Sequence, residues 1–228
     1  HNYYNFVNQS ALVMEEKSNE HYLDDLKEIR SMMEKSSRFI SLSGLSGISA
    51  GIIALVGAFI ASWYIKTHIE NPSYTLQTVV MVRMEDVLFL LLDAAIVLFL
   101  ALTSATYFAV RKARMQNLPV WSKAGELTLI NLLIPLATGA IFCLILYTYN
   151  IFILIAPATL LFYGLALLNA SKYTLAEVRY LGICEIVLGL AGMLIPGYSI
   201  ILWAVGFGLL HNIYGAVMYY RYERCKTL

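Results

Sequence analysis

Six long apolar runs divide this 228-residue chain, and they restrict the available folds more than any other feature. A helix needs about 20 mostly apolar residues to cross a lipid bilayer. We therefore expect an all-α integral membrane bundle of six transmembrane helices, arranged as three hairpins. The runs lie at about residues 39–65, 87–110, 127–147, 151–168, 180–196 and 200–220.

The continuity of these runs indicates helices rather than strands. Lipid offers no hydrogen-bond partner to the backbone, so a spanning segment must be a helix or belong to a closed barrel. Barrel strands alternate between apolar and polar residues, whereas these runs do not. The chain is 59% hydrophobic and 14% charged, while a soluble domain has about 25% charged residues. Residues 147–151 and 196–199 have the composition of tight turns, which favours six spans over fewer.

The Lys and Arg residues are distributed unevenly between the two ends of the runs. Fourteen of the 16 lie in the N-terminal segment, the second and fourth loops and the C-terminal tail, while Lys66 and Arg83 lie in the first loop. The positive-inside rule then places both termini in the cytoplasm. We expect a cytoplasmic N-terminal segment at 1–38, a membrane domain at 39–222 and a cytoplasmic tail at 223–228.

The N-terminal segment has a helical pattern at about residues 19–37. We expect this amphipathic helix to lie against its own bundle or the lipid interface, or to form a short seam between subunits. Residues 1–13 are expected to be an expression remnant or an upstream extension, because Met14 opens a natural start. The apolar stripe of the helix consists of Tyr22, Leu26, Ile29 and Met33.

Polar side chains at membrane depth are the candidate functional residues, because each needs a partner or a wet cavity. At a rise of 1.5 Å per residue, Glu185 and His211 fall about 9 and 15 Å from the cytoplasmic ends of their runs. Asn131 and Asn212 are weaker members of the same expected polar layer. Asp93 lies in the outer half of its run, apart from this layer.

Three interpretations of Glu185 and His211 are open. The favoured one is a polar clasp that locks two antiparallel helices together. The second is a proton relay or solute site. The third is a metal site, which would need three or four ligands, and no HExxH spacing is present. We expect no metal and no cofactor. For Asp93, a backbone group, Lys66 or Arg83 would be the partner.

Glycines are expected to pack the helices closely. Gly47 and Gly51 form a close-packing motif, and the sequence leaves open whether it faces its own bundle or another subunit. Five further glycines share helix faces with Glu185 or His211, which predicts that both side chains point into protein. These are Gly182, Gly189, Gly192, Gly208 and Gly215.

Several functional classes lack support in the sequence. There is no GxGxxG or P-loop motif and no Cys–His nucleophile arrangement, so we expect no enzyme. A net charge of +1 provides no basic excess for binding nucleic acid. No disulfide framework or CxxC motif is formed by the cysteines, which are Cys143, Cys184 and Cys225.

Two stretches carry a resemblance to known proteins. These are RFISLSGLSG at residues 38–47 and GFGLLHNIYG at residues 206–215. They resemble uncharacterised multi-pass membrane proteins of bacteria, and the likeness covers all six runs. The resemblance implies a bacterial inner membrane, and no activity is attached to that family.

Two functional hypotheses follow. In the first, the protein is a non-enzymatic membrane component that senses, scaffolds or regulates a cytoplasmic protein partner. In the second, it is a small proton-linked transporter or channel that uses Glu185 and His211. The first is favoured because intramembrane charges are few and no inverted repeat is visible. Small size and glycine-rich faces make a homo-oligomer plausible for both.

Overall fold

The computed structural model describes residues 43–69, 84–115 and 122–222, and this part of the chain is helical with no strand. Six helices follow one another along it. They are α1 (Gly44–Tyr64, followed by a π-helical turn Ile65–Ile69), α2 (Met84–Met115), α3 (Lys123–Thr148), α4 (Ile155–Ala170), α5 (Ala176–Leu194) and α6 (Ser199–Trp203, Ala204–Leu210 and His211–Tyr222). The predicted stripe at residues 19–37 and the tail at 223–228 lie outside the described residues.

Five of the six helices are long and apolar enough to cross a membrane. These five segments are Gly44–His68, Met84–Met115, Lys123–Thr148, Phe152–Tyr173 and Ser199–Tyr222. The remaining helix, α5, has 19 residues, which corresponds to about 28 Å. It contains Glu177, Arg179 and Glu185, so its composition alone does not identify it as a span.

The helices extend beyond the apolar runs because polar residues also form helical turns. The third run was expected at 127–147, but α3 begins at Lys123, where the Ser122 hydroxyl accepts a hydrogen bond from the Gly125 N–H at 3.1 Å. This is an N-cap, which stabilises the helix start.

Pro157 does not interrupt α4 because it lies in the first turn, where backbone N–H groups have no partner within the helix.

The helices do not pack as three equal hairpins. α1 packs against α2, and α3 packs against α4, as expected from short connections. However, the main neighbour of α5 is α4, and the main neighbour of α6 is α1. The glycine faces explain these pairings, because they allow helix backbones to approach more closely than larger side chains would.

The predicted Gly47 and Gly51 motif faces the last helix of its own chain. A Cβ atom on Gly47 would lie 3.0 Å from Gly215 Cα, and one on Gly51 would lie 2.8 Å from the Gly208 carbonyl oxygen. A Cβ on Gly215 would in turn lie 2.5 Å from the Ile48 backbone nitrogen. α1 and α6 therefore cross with their backbones in contact.

The α4–α5 pair has a second glycine crossing. A Cβ on Gly164 would lie 2.6 Å from the Gly182 carbonyl oxygen, and one on Gly189 would lie 2.7 Å from the Leu161 nitrogen. Gly192 faces the Pro157 ring, with 3.1 Å between its Cβ position and the Pro157 Cβ. Gly182, Gly189 and Gly192 are thus packing positions, and they place the face of α5 that carries Glu185 against protein.

The outer surface of α2 is apolar along most of its length. Leu92, Ile96 and Phe99 are 54%, 58% and 67% exposed. The buried residues of α2 lie near its two ends. An apolar surface of this extent would be unfavourable in water, so it is typical of contact with lipid or with another membrane protein.

The α1–α6 crossing makes a direct prediction. Gly215→Ala should lower the free energy of unfolding in detergent by about 1–3 kcal/mol, because its methyl group would meet the Ile48 backbone. Gly197→Ala is the matched control, since a Cβ there meets no atom within 4 Å. Chemical or thermal unfolding of the purified variants measures both. Equal stability of the two variants would contradict the close crossing.

Candidate functional site

Glu185 lies at the middle of α5, nine residues from Ala176 and nine from Leu194, the ends of the helix. At 1.5 Å per residue, each end is about 14 Å away. Its side chain is fully buried, with 0% exposure. Charged side chains almost never reach this degree of burial without a partner, so the neighbours of Glu185 decide its chemistry.

His211 is the polar side chain nearest to the carboxylate. Its Nδ1 atom lies 3.4 Å from Glu185 Oε1 and 3.1 Å from the Gly206 carbonyl oxygen. Its Nε2 atom lies 2.8 Å from the Tyr163 hydroxyl, which comes from α4. The three side chains form a polar centre, Glu185–His211–Tyr163, which joins α5, α6 and α4.

The hydrogen bonds constrain where the imidazole proton lies. A carbonyl oxygen can only accept, so Nδ1 of His211 carries a hydrogen and donates it to Gly206. In the neutral imidazole, Nε2 then accepts the hydrogen of the Tyr163 hydroxyl. In the protonated imidazole, Nε2 would donate to the Tyr163 oxygen instead. Tyr163 can therefore follow either state of His211 by rotating one hydroxyl.

The Glu185 carboxyl group has no hydrogen-bond donor within the described part of the chain. Both Oε1 and Oε2 are buried without a bond, and Nδ1 of His211 at 3.4 Å is an ion-pair contact only if the imidazole is protonated. A buried ionised carboxylate without a donor is strongly unfavourable. Two states of low charge are therefore chemically reasonable: both groups neutral, or a carboxylate facing an imidazolium.

A π-helical turn in α6 forms one wall of this centre. It covers seven residues, Ala204–Leu210, and was not foreseen from the sequence. π-Turns are uncommon and are frequent at functional sites. A Cβ on Gly206 in this turn would meet Glu185 Oε2 and lie 2.5 Å from Leu160 Cδ2. Glycine is therefore needed here for the carboxyl group to fit.

Aromatic rings surround the histidine. The ring centre of Phe207 lies 4.9 Å from that of Tyr163 and 5.9 Å from that of His211. Trp203 continues the row, 4.8 Å from Phe207, and its indole N–H donates to the Thr159 hydroxyl at 3.2 Å. The rings leave His211 only 7% exposed.

Asn131 does not join the expected polar layer with Glu185 and His211. Its contacts follow from Pro135, one turn later in α3. Pro135 lies inside α3 and has no N–H to donate to the Asn131 carbonyl one turn earlier. The Asn169 side chain of α4 donates to that carbonyl at 3.1 Å instead. The Asn131 side chain donates to the Leu127 carbonyl at 2.8 Å. Neither amide bonds to Glu185 or His211.

Asn212 lies next to His211 in sequence but faces α1. Its amide donates to the Gly208 carbonyl at 2.8 Å, and a Cβ on Gly51 would lie 2.5 Å from the same amide nitrogen. It therefore supports the α1–α6 crossing. The structure brings together two of the four layer candidates, Glu185 and His211, and the asparagines hold helix backbones elsewhere.

Asp93 is separate from the polar centre, as its predicted depth implied. It lies partly exposed on α2, and a Cβ on Gly57 of α1 would lie 3.6 Å from its Oδ2 atom. No bond from Asp93 to Lys66 is present among the described residues, and Arg83 lies outside them. Across residues 43–69, 84–115 and 122–222, no three His, Cys, Asp or Glu side chains form a group that could hold a metal ion.

Sequence reasoning missed Tyr163, Gly206 and Pro135. Tyr163 carried a usable signal, because a tyrosine in the middle of an apolar run needs a partner for its hydroxyl. Pro135 also carried a usable signal. It has no N–H for the Asn131 carbonyl, so a side chain has to supply the donor. Gly206 carried none, since its role depends on the π-helical turn.

Comparison of the chain with models of protein families, with curated proteins and with solved structures finds no significant match. The resemblance to bacterial membrane proteins therefore stays a prediction. Five helices of spanning length and apolar composition still indicate the class, a multi-pass helical membrane protein.

The polar centre makes a prediction about coupling. In the carboxylate–imidazolium state, Glu185→Gln and His211→Gln should each lower the free energy of unfolding by about 3 kcal/mol, because each leaves a buried charged partner uncompensated. The double variant should lose less stability than the two single variants combined, and the difference should be at least about 1 kcal/mol. His68→Gln, at an exposed position near the end of α1, is the control. Strictly additive losses in detergent unfolding would show that the two groups do not interact.

A second cycle tests the role of Asn169. Asn169→Leu should destabilise the protein by about 1–3 kcal/mol, because it leaves the half-buried Asn131 carbonyl without a donor. In a Pro135→Ala background the restored N–H can occupy that carbonyl, so the same substitution should cost less. Unfolding measurements on the four proteins give the coupling. A loss that is independent of residue 135 would refute the assignment.

Proposed function

We propose that this protein is a non-enzymatic regulatory, sensing or scaffolding component of a bacterial inner membrane. It has six spans, with α5 as the fifth, and both termini face the cytoplasm. It forms a homo-oligomer or engages a cytoplasmic protein partner through its N-terminal segment and basic loops. The single observation that carries the proposal is the complete burial of Glu185 at the middle of α5.

Burial at this depth argues against a transport path through the centre. A site that exchanges protons or solutes must be reached by water, whereas Glu185 has 0% exposure and His211 has 7%. The helices meet there through glycines and aromatic rings rather than around an open space. The polar centre therefore acts as a clasp that joins α4, α5 and α6.

The placement of charges supports six spans. Arg221 near the end of α6 donates to Glu177 near the start of α5 at 2.8 Å, and the Tyr222 hydroxyl donates to the same carboxylate at 2.9 Å. These two helix ends thus lie together, on the side that the positive-inside rule assigns to the cytoplasm. α5 can cross the membrane because its one mid-helix charge is enclosed by protein.

A small proton-linked transporter or channel is the second candidate. The observation that favours it is the series Glu185–His211–Tyr163, in which the carboxyl oxygens lack hydrogen bonds and the hydroxyl can reverse its bond to the imidazole. Such a series can move a proton between its members. The π-helical turn beside it would then open a water path in another conformation.

Water access distinguishes the two candidates and tests the topology. Single cysteines at positions 179, 185 and 197 would be introduced after Cys143, Cys184 and Cys225 are replaced by serine. A charged, membrane-impermeant thiol reagent is then added to sealed vesicles of either orientation. We expect position 179 to react from the cytoplasmic side, position 197 from the other side, and position 185 from neither.

Each departure from this pattern has a defined meaning. Rapid reaction at position 185 would overturn the clasp and favour transport. Reaction of positions 179 and 197 from the same side would overturn the assignment of α5 as a span. Because Glu185→Cys removes the carboxylate, unfolding of this variant in detergent is compared with that of Glu185→Gln, so that labelling of misfolded protein is recognised.

A further inference from the structure

A groove runs along the surface between α3 and α4, away from the polar centre. It is open to the outside along its length and has a volume of about 500 Å³. Its lining is mostly apolar, and its polar residues are Thr138 near Phe162 and Asn169 and Lys172 at the other end. The residues that define it include Ile134 and Pro135 of α3, Phe162, Leu165 and Leu168 of α4, and Lys172.

Two contacts between the helices fix the position of the groove. A Cβ on Gly139 would lie 2.5 Å from the Phe162 Cβ, and Asn169 donates to the Asn131 carbonyl at 3.1 Å. The apolar lining residues lie between these two contacts along both helices. Pro135 belongs to the same segment of α3, where its ring replaces a backbone N–H group.

The length of the groove matches one leaflet of a bilayer. Phe162 and Lys172 are ten residues apart in the continuous helical segment Phe152–Tyr173, which corresponds to about 15 Å. The hydrocarbon core of a bilayer is about 30 Å thick, so each leaflet contributes about half of this. With Lys172 at the level of the lipid headgroups, Phe162 would lie near the bilayer midplane.

Lys172 supplies a cationic group at the headgroup end. Its side chain is exposed, and its ammonium donates to Asn169 Oδ1 at 3.3 Å. An ammonium group has three N–H donors, so others are available to a phosphate. Among the described residues, no carboxylate forms an ion pair with it. The groove thus has an apolar surface about as long as one leaflet is thick. A positive charge lies at the end where a lipid phosphate would be.

We propose that this groove binds an anionic phospholipid of the leaflet at the basic end of the bundle. One acyl chain lies between α3 and α4, and the headgroup phosphate contacts Lys172. Basic sites between transmembrane helices on the cytoplasmic side are suited to such headgroups. The proposal depends on insertion in a membrane. It does not depend on whether water reaches Glu185.

The first test separates the headgroup contact from general attraction. The full chain in detergent is titrated with phosphatidylglycerol or phosphatidylcholine, and bound lipid is measured by native mass spectrometry. Lys172→Gln should weaken phosphatidylglycerol binding about fivefold, which corresponds to about 1 kcal/mol for one lysine. Lys172→Arg should retain binding. Arg179→Gln, at an exposed basic position on α5, should leave it unchanged.

The second test addresses the acyl chain. Leu165→Trp fills the groove and should weaken the binding of both lipids, whereas Lys172→Gln should affect the anionic lipid alone. Leu144→Trp is the matched control, because Leu144 is 64% exposed on α3 and lies outside the groove. Leu165→Phe replaces the larger substitution if circular dichroism shows loss of helix.

The outcomes that overturn the proposal are specific. Equal effects of Lys172→Gln and Arg179→Gln would show diffuse electrostatic attraction without a site. Equal affinity for both lipids would remove the headgroup contact. Unchanged binding in the groove-filling variant would remove the acyl-chain site. A failure of the water-access experiment at position 185 would leave each of these measurements unaffected.

Discussion

Direct contact between helix backbones at glycine is the interaction on which the rest of this structure depends. α1 and α6 meet through Gly47, Gly51 and Gly215, and α4 and α5 meet through Gly164 and Gly182. In a membrane, lipid tails are as apolar as leucine, so close packing must supply the attraction that water supplies in soluble proteins. These crossings determine which faces of α5 and α6 turn toward each other.

The polar groups inside the bundle follow from those crossings. Once α5 and α6 are in place, Glu185 can be accommodated because Gly206 has no side chain, and His211 connects it to Tyr163. The same constraint acts on the backbone, where the carbonyl left by Pro135 receives a donor from Asn169. In the second case a side chain supplies the donor that the proline removes, which avoids the cost of an unpartnered carbonyl.

Two regions of different character result from this packing. The centre around Glu185 is buried and joins three helices. The groove beside α3 faces outward and ends at Lys172, which suits recognition of lipid. The two regions share helix α4, because Tyr163 and Phe162 are adjacent residues that point to different sides of it.

The sequence by itself determined the helical class, because long apolar runs in lipid can satisfy their backbones only as helices. It also indicated Glu185 and His211 as candidate site residues, because an ionisable side chain within an apolar run needs a partner. It did not determine that Gly47 and Gly51 face α6, that α5 packs mainly on α4, or that Asn131 accepts from Asn169. Those features depend on the rotation and crossing of helices and on the π-helical turn at Ala204–Leu210, which no local pattern of residues encodes. Only the tertiary structure decided them, because contacts between segments distant in sequence set helix rotation.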